Sequence, residues 1–361
     1  MARVDIIMPV RNGERFLRET LATLQAQTFQ DWRLLAIEHA STDATPEILA
    51  EWRRRDPRIE ILPFARERSL SEALNFGLDA ADCAFAVRQD ADDLSKPERI
   101  ATLVDAFEAA PDVAFFGSHG DIIDQDGRKI AEMDVPLGDD AIRAVCLFGG
   151  IACHPSVAFR MSCLREVGAR YGEYFLDADP RDRDHVVPRL AEDYFLFGQL
   201  ALLRPGRNLP QNLFQYREHG GNISKAKVAD TMRAAARASA CLGRAFSAIH
   251  GTAPVRPLPF VNHGDMLLDL GGEWDFRDDF EVLSEALPRA FGPSASLARE
   301  LSFRSCLKDR RRLPMALGFA MHAQRHGMRS SEKNSVKTWL LRGLRDYPIE
   351  RIADPVAELD A

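Results

Sequence analysis

The chain has no C-x-x-C pair and no Cys/His spacing of the kind that builds a zinc site. It has no apolar run near the ~18 residues that a membrane-spanning helix needs. No G-x-G-x-x-G follows the first apolar run, which argues against a nicotinamide dehydrogenase. There is no excess of basic residues. Lys and Arg number 47 against 54 Asp and Glu, a net charge of −7, which argues against a general nucleic-acid binder. The six cysteines, Cys83, Cys146, Cys153, Cys163, Cys241 and Cys306, are scattered and mostly lie in apolar runs. They read as buried, reduced thiols of a cytoplasmic protein. No signal-like segment precedes the strand-like Val4–Met8, which fits the same location. Neither an internal repeat nor a low-complexity tract is present.

What is present is ordinary globular material. Of 361 residues, 46% are hydrophobic, enough core for roughly two domains. In the first 120 residues, short apolar runs (Val4–Val10, Trp32–Ile37, Ile59–Phe64, Phe85–Val87, Val113–Gly117) alternate with helix-period stretches at 15–27, 45–55, 69–80 and 97–109. Such alternation predicts βαβ units and a mainly parallel sheet. Asp124-Gln125-Asp126-Gly127 predicts a hairpin turn between 121–123 and 128–131. Further on, the pattern predicts a helix at 139–147, a strand at 156–160, a loop over 171–189, a helix at 192–203 and extended chain at 213–216. Beyond residue 229 the composition turns to Ala and Arg, with helices expected at 230–248, 280–290, 296–307, 313–325 and 335–347. The expected division is therefore 1–228 and a mainly helical 229–361.

Three carboxylates fall within four residues at Asp90-Ala91-Asp92-Asp93, directly after the apolar run 83–87. A run this short reads as a buried strand, so the acids sit where it leaves the sheet. In open α/β sheets, ligands bind beyond the carboxyl ends of the strands. Like charges this close call for an offsetting partner. A hard divalent cation fits, and such ions commonly also hold substrate phosphates. The competing reading is a solvated acidic turn ahead of the helix near Pro97.

Five segments occur in order. They are Ile6-Ile7-Met8-Pro9-Val10-Arg11-Asn12-Gly13-Glu14, Ser41-Thr42-Asp43, Asp90-Ala91-Asp92-Asp93, Ala191-Glu192-Asp193-Tyr194 and Tyr216-Arg217-x-His219-x-x-Asn222-x-Ser224. Together they resemble family 2 glycosyltransferases over about residues 3–226. The resemblance implies the GT-A fold, a Rossmann-like, mixed and mostly parallel sheet flanked by helices. It implies transfer of a sugar from a nucleotide-diphosphate donor to an acceptor hydroxyl with inversion.

By the same resemblance, Pro9, Val10, Arg11, Asn12, Glu38, Ser41, Arg68, Asn75, Asp90, Ala91, Asp92 and Arg217 contact the nucleotide sugar. Asp92 and Asp90, with His219, hold Mn²⁺ or Mg²⁺. Asp193 is the general base and Glu192 positions the acceptor. His154-Pro155-Ser156 resembles a segment on the acceptor side. Where the family usually has Asp-Asp-Gly, this chain has Glu38-His39-Ala40, which leaves the base identity open. For Ser41 and Asp43, helix capping explains the sequence equally well.

Two alternatives carry less of the pattern. A sugar nucleotidyltransferase needs a Gly-rich basic loop after the first strand, where only Gly13 stands. A retired, donor-binding protein is favoured by His39 and Ala40 and disfavoured by the complete Asp90/Asp92/Asp193 set. The expected acceptor is a glycan or lipid-linked molecule in surface polysaccharide or lipopolysaccharide synthesis. The C-terminal part is expected to contact acceptor, membrane or a second copy. Between Arg304 and Arg351, 12 Lys and Arg face 4 Asp and Glu. Arg310-Arg311-Arg312 runs into apolar 313–321, so that segment reads either as a solvated basic face or as one lying on an anionic membrane.

Overall fold

A computed structural model describes residues 3–64, 69–133, 135–178, 182–183, 185–187, 189–221, 228–261, 275–329, 332–333 and 336–337. Arg66, Arg68, Asn222, Ser224 and the helix expected at 335–347 fall wholly or largely outside that set.

In chain order the elements are β1 (Val4–Val10), α1 (Leu17–Gln25), β2 (Trp32–Glu38), α2 (Thr45–Arg55), β3 (Ile59–Pro63), α3 (Leu70–Ala80), β4 (Phe85–Arg88), β5 (Leu94–Ser95) and α4 (Arg99–Ala109). They continue with β6 (Phe115–Ile123), β7 (Lys129–Met133), α5 (Gly138–Val145), β8 (Ala158–Arg160), α6 (Met161–Val167), α7 (Glu192–Leu203) and β9 (Gly206–Arg217). The last are α8 (Val228–His250), α9 (Arg277–Phe291), α10 (Ala295–Arg304) and α11 (Arg312–His326). The mixed α/β architecture and the helical C-terminal region agree with expectation. The runs 113–117 and 121–123 are one strand, β6. β9 is three times the expected length.

By internal contacts the described chain forms two compact units. One comprises 1–138, 152–175 and 203–222; the other 139–151, 176–202 and 223–361. The helical C-terminal part is thus joined by two earlier stretches of chain.

The first unit holds a nine-stranded sheet in the order β3-β2-β1-β4-β8-β6-β9-β5, with β7 beside β6. The β1–β2, β2–β3, β1–β4 and β6–β9 pairs are parallel. β8 enters antiparallel between β4 and β6. Every residue of β1 is buried. That is why its sequence, apart from Asp5, is apolar throughout rather than alternating. Val4, Ile6, Met8 and Val10 pack with Leu17, Leu21 and Leu24 of α1, Ile48 and Trp52 of α2, and Phe107 of α4. The opposite face meets α3 at Gly77. A Cβ there would stand 2.6 Å from Ile7 and 2.9 Å from Ile37, so only glycine permits the approach. α3 is fixed at its start by a reciprocal cap between Ser69 and Glu72.

In the second unit, α7 and α8 meet where Gly198 faces Leu242. Ser239 Oγ donates to the Leu147 carbonyl at 2.7 Å. The half-buried Arg244 pairs with the buried Asp182. Arg304 is fully buried on the Phe148 ring, donates to Glu300 and bonds the Phe260 carbonyl. No described helix is long and apolar enough to cross a membrane.

Candidate active site

β1 is flanked by β2 on one side and β4 on the other. The winding direction therefore reverses at β1, and the crevice at such a reversal is the usual ligand site of this architecture. The segment leaving β4 there is Gln89-Asp90-Ala91-Asp92-Asp93. Carboxylate oxygens of Asp90, Asp92 and Asp93 lie within 4.8 Å of one another.

A buried frame holds this loop. Gln89 Nε2 donates to the Asp90 carbonyl at 2.9 Å and the Asp93 carbonyl at 3.1 Å. Its Oε1 accepts from Ser95 Oγ and Arg99 Nη1, both at 2.8 Å. Arg99 Nη2 bridges the Arg88 and Pro155 carbonyls at 2.7 and 2.5 Å. Thr20 Oγ1 donates to the Ala91 carbonyl at 2.9 Å. Arg88, also buried, donates from Nη2 to Asp90 Oδ1 at 2.5 Å and from Nε to His154 Nε2 at 3.3 Å.

The end of β9 closes the loop from the other side. The Arg217 amide donates to Asp93 Oδ1 at 2.8 Å and its Nε to the Asp92 carbonyl at 2.9 Å. Nη1 reaches the Gln125 carbonyl at 3.2 Å and Nη2 the Glu19 carboxylate at 2.6 Å. The guanidinium lies 4.7 Å from the centre of the Phe16 ring. His219 Nε2 is 2.8 Å from Asp92 Oδ2, and its ring also packs on Phe16.

Burial, then the neighbouring Asp90 charge, pushes the Asp92 carboxyl up; His219 opposes the shift. Burial pushes Asp93 well up, with Asp90 and Asp92 adding to it and the Arg217 amide opposing. Burial first, then Arg88, holds His154 well below the usual imidazole range, so it is neutral and accepts from Arg88. Asp93 Oδ2 is buried without a hydrogen-bond partner among the described residues. Hard oxygen donors this close, one of them unpartnered, with an imidazole on Asp92, fit an oxygen-preferring divalent ion such as Mn²⁺ or Mg²⁺.

The turns after β1 and β2 are laced to each other. Asn12 (φ 52°) accepts from the Thr42 amide at 2.8 Å and gives its own amide to Ser41 Oγ at 3.1 Å. The Gly13 amide goes to Thr45 Oγ1 and the Glu14 amide to Asp43 Oδ2. Glu38 Oε1 accepts the Ser41 amide at 2.7 Å. Ala40 also has positive φ, 59°. Ser41 thus binds the neighbouring turn, while Asp43 does both: Oδ2 accepts the Glu14 amide and Oδ1 the Thr45 amide at 3.0 Å, at the start of α2, where Ala44 itself offers no side-chain cap.

Several expected contacts are redirected. Pro9 and Val10 give their side chains to the core. Asn75 is buried and brackets Tyr171, donating to its carbonyl at 3.1 Å and accepting its amide at 2.8 Å, so its amide group serves the chain fold. The Arg217 guanidinium is engaged by protein groups on every side and is only 2% exposed. Arg11 is exposed. His154 packs on Tyr171, with ring centres 5.3 Å apart. The sequence reading had not singled out Arg88, Gln89, Arg99, Thr20 and Glu19. Arginines two residues before Asp90 and six after Asp93 were the available signal.

In the second unit, Glu192 and Asp193 open α7, with Glu192 buried and Asp193 half-buried. Ala191 just before them has φ 56°, a left-handed conformation uncommon for alanine. The Asp193 carboxylate accepts the Tyr194 amide at 2.8 Å, and the Ala191 carbonyl accepts that of Phe195 at 3.0 Å.

Comparison with known proteins agrees with this geometry. The profile of Glycosyl transferase family 2 matches residues 5–168. An uncharacterized glycosyltransferase of Haemophilus influenzae is 26% identical over 229 residues, covering 61% of this chain and 67% of the relative. The amylovoran biosynthesis glycosyltransferase AmsE of Erwinia amylovora is 24% identical over 227 residues, covering 62% and 79%. Among solved structures, S. aureus TarS 1–349 in complex with UDP-GlcNAc superposes with a TM-score of 0.53 at 13% identity, over 91% of this chain and 93% of that one. The chain carries a glycosyl transferase family 2 domain of the GT-A fold and is a glycosyltransferase.

Proposed function

We propose that the protein transfers a sugar from a nucleotide-diphosphate donor to a glycan or lipid-linked hydroxyl, with inversion, in surface polysaccharide synthesis in the cytoplasm. The observation that carries the donor side is the convergence of Asp90, Asp92 and Asp93 at the sheet's reversal point, with His219 on Asp92. The AmsE relative supports the polysaccharide reading, and the likeness to a fold solved with a nucleotide sugar supports the donor class.

In this reading Asp92 and Asp90, with His219, hold Mn²⁺ or Mg²⁺, which would offset the charge gathering on the leaving diphosphate. Asn12, Glu38 and Ser41 line the nucleoside end. Arg217 keeps Asp92 and Asp93 in place. Asp193 takes the proton of the attacking hydroxyl, and Glu192 orients the acceptor. A proton taken late in the reaction suits a carboxylate, because the hydroxyl becomes acidic only as its oxygen bonds to the sugar.

The test is nucleotide release from a panel of nucleotide sugars, with and without Mn²⁺. Metal-dependent release from one donor supports the reading. Donor binding without any release would show a retired site.

A further inference from the structure

α11 is apolar on two opposite sides. Met315 and Phe319 are 2% and 3% exposed and, with buried His322, face the second unit's interior, where Phe319 packs on Phe303. Leu313, Leu317 and Met321 are 70%, 58% and 65% exposed. They recur every fourth residue and so form one stripe along the helix, on the side away from Met315 and Phe319. The exposed Ala320 lies within the same stripe. A helix apolar all round is normally covered all round. Here the outer side is open, and these three are the most exposed large apolar side chains among the described residues.

The ends of the stripe are basic. Arg312 is exposed at the amino end and Arg325 at the carboxyl end; Arg311, also exposed, is paired with Asp309. The chain as a whole carries −7, so this segment is positive against the overall balance.

We propose that the Leu313/Leu317/Met321 face of α11 seats on an anionic lipid surface, its apolar stripe entering the headgroup boundary and Arg312 and Arg325 lying among lipid phosphates. Amphipathic helices of this pattern bind by buried apolar area plus attraction to anionic lipid. The charge pattern selects lipid over a second copy of the chain. Two copies packed antiparallel along this stripe would set Arg312 of one against Arg325 of the other; packed parallel, they would set each arginine against itself. Both arrangements oppose like charges. An anionic bilayer meets the apolar stripe and the basic ends together. The stripe shares no residue with the acidic loop, so the inference does not rest on the donor reaction.

The test is co-sedimentation of the full chain with phosphatidylcholine vesicles, with and without phosphatidylglycerol. Binding should require phosphatidylglycerol and weaken as salt is raised. Leu317→Glu should weaken it about tenfold, and Arg312→Gln with Arg325→Gln by about fivefold per arginine. Nucleotide release should be unchanged in both variants. Met321→Gln, at another exposed position, gives the same reading should Leu317→Glu fail to fold. No sedimentation with anionic vesicles at low salt would overturn the proposal, as would equal binding by the variants. A dimer that Leu317→Glu dissolves, with no vesicle binding by the parent, would overturn it in favour of a second copy.

Discussion

Replacing Arg217 by lysine separates two roles for this residue. A contact to donor phosphates would survive in large part, because lysine keeps the charge. A clamp on the acidic loop would not, because lysine has no planar fork. The guanidinium makes three hydrogen bonds, to the Asp92 carbonyl, the Gln125 carbonyl and Glu19, and stacks on Phe16. One ammonium can keep about one of these bonds. Hydrogen bonds involving a charged group contribute about 1.5–3 kcal/mol each. Glu19 is 64% exposed, so its share is discounted for solvent screening. The Phe16 contact adds about 0.5–1 kcal/mol. The expected loss is about 3 kcal/mol, or a drop of about 6–10 °C in melting temperature for a unit of this size. Scanning calorimetry of the full chain without donor or metal reads it directly. If Arg217→Lys melts within about 2 °C of the parent and keeps most of its donor affinity, the clamp argument is wrong and the phosphate contact is restored.

Four further outcomes are expected. Asp92→Asn should remove the Mn²⁺ dependence of donor affinity, measured by calorimetric titration; an unchanged metal effect would place the ion elsewhere. Asp193→Asn should lower turnover about 10²–10⁴-fold with donor affinity kept, and near-normal turnover would assign the base to another group. Asp5 is fully buried, pairs with Arg33 at 2.8 Å and accepts the Asp82 and Cys83 amides. Asp5→Ala should therefore cost about 3–5 kcal/mol in urea unfolding, and a loss under about 1 kcal/mol would contradict a buried bracket. The Arg58 hydrogen bond holds the Asp56 carboxyl below its usual range, against burial. Its contribution is present above the unfolded-state value near ~4 and is lost as pH falls through the lower folded value. Asp56→Asn should accordingly be less stable than the parent at neutral pH, with the gap closing in acid.

The first four strands and helices were legible because β1, β2 and β4 are mostly buried and so appear as largely apolar words, broken only by Asp5 in β1, Arg33 and Glu38 in β2 and Arg88 in β4. β9 was not. Its ladder with β6 slips register around His119, and exposed Pro210 and Gln211 interrupt its pattern. β6 hid its length behind Gly117 and Gly120. Both are glycine because Asn208 and Phe214 of β9 occupy the space a Cβ would take. Short α6 carries little periodicity and was passed over, although Gly168 at φ 66° marks its end. In the site, the acids were readable from their clustering. The frame was not, since Thr20 of α1 and Arg99 of α4 touch the loop from separate elements, and only topology brings them together. Asn75 illustrates the opposite error, because an amide suited to a nucleotide is equally suited to tying down a buried backbone.

The bonds from Arg217 and His219 to the acidic loop span 124 and 127 residues of chain. During synthesis, then, the segment matching the family profile leaves the ribosome well before its own acidic loop can be closed. A fragment stopping at 168 would lack that closure, as well as β9, which carries β5. Long-range closures of this kind slow folding, because their entropy is lost before the contact forms. Donor chemistry in this chain should therefore switch on late and all at once, when β9 zips onto β6, rather than growing in with the first half of the sheet.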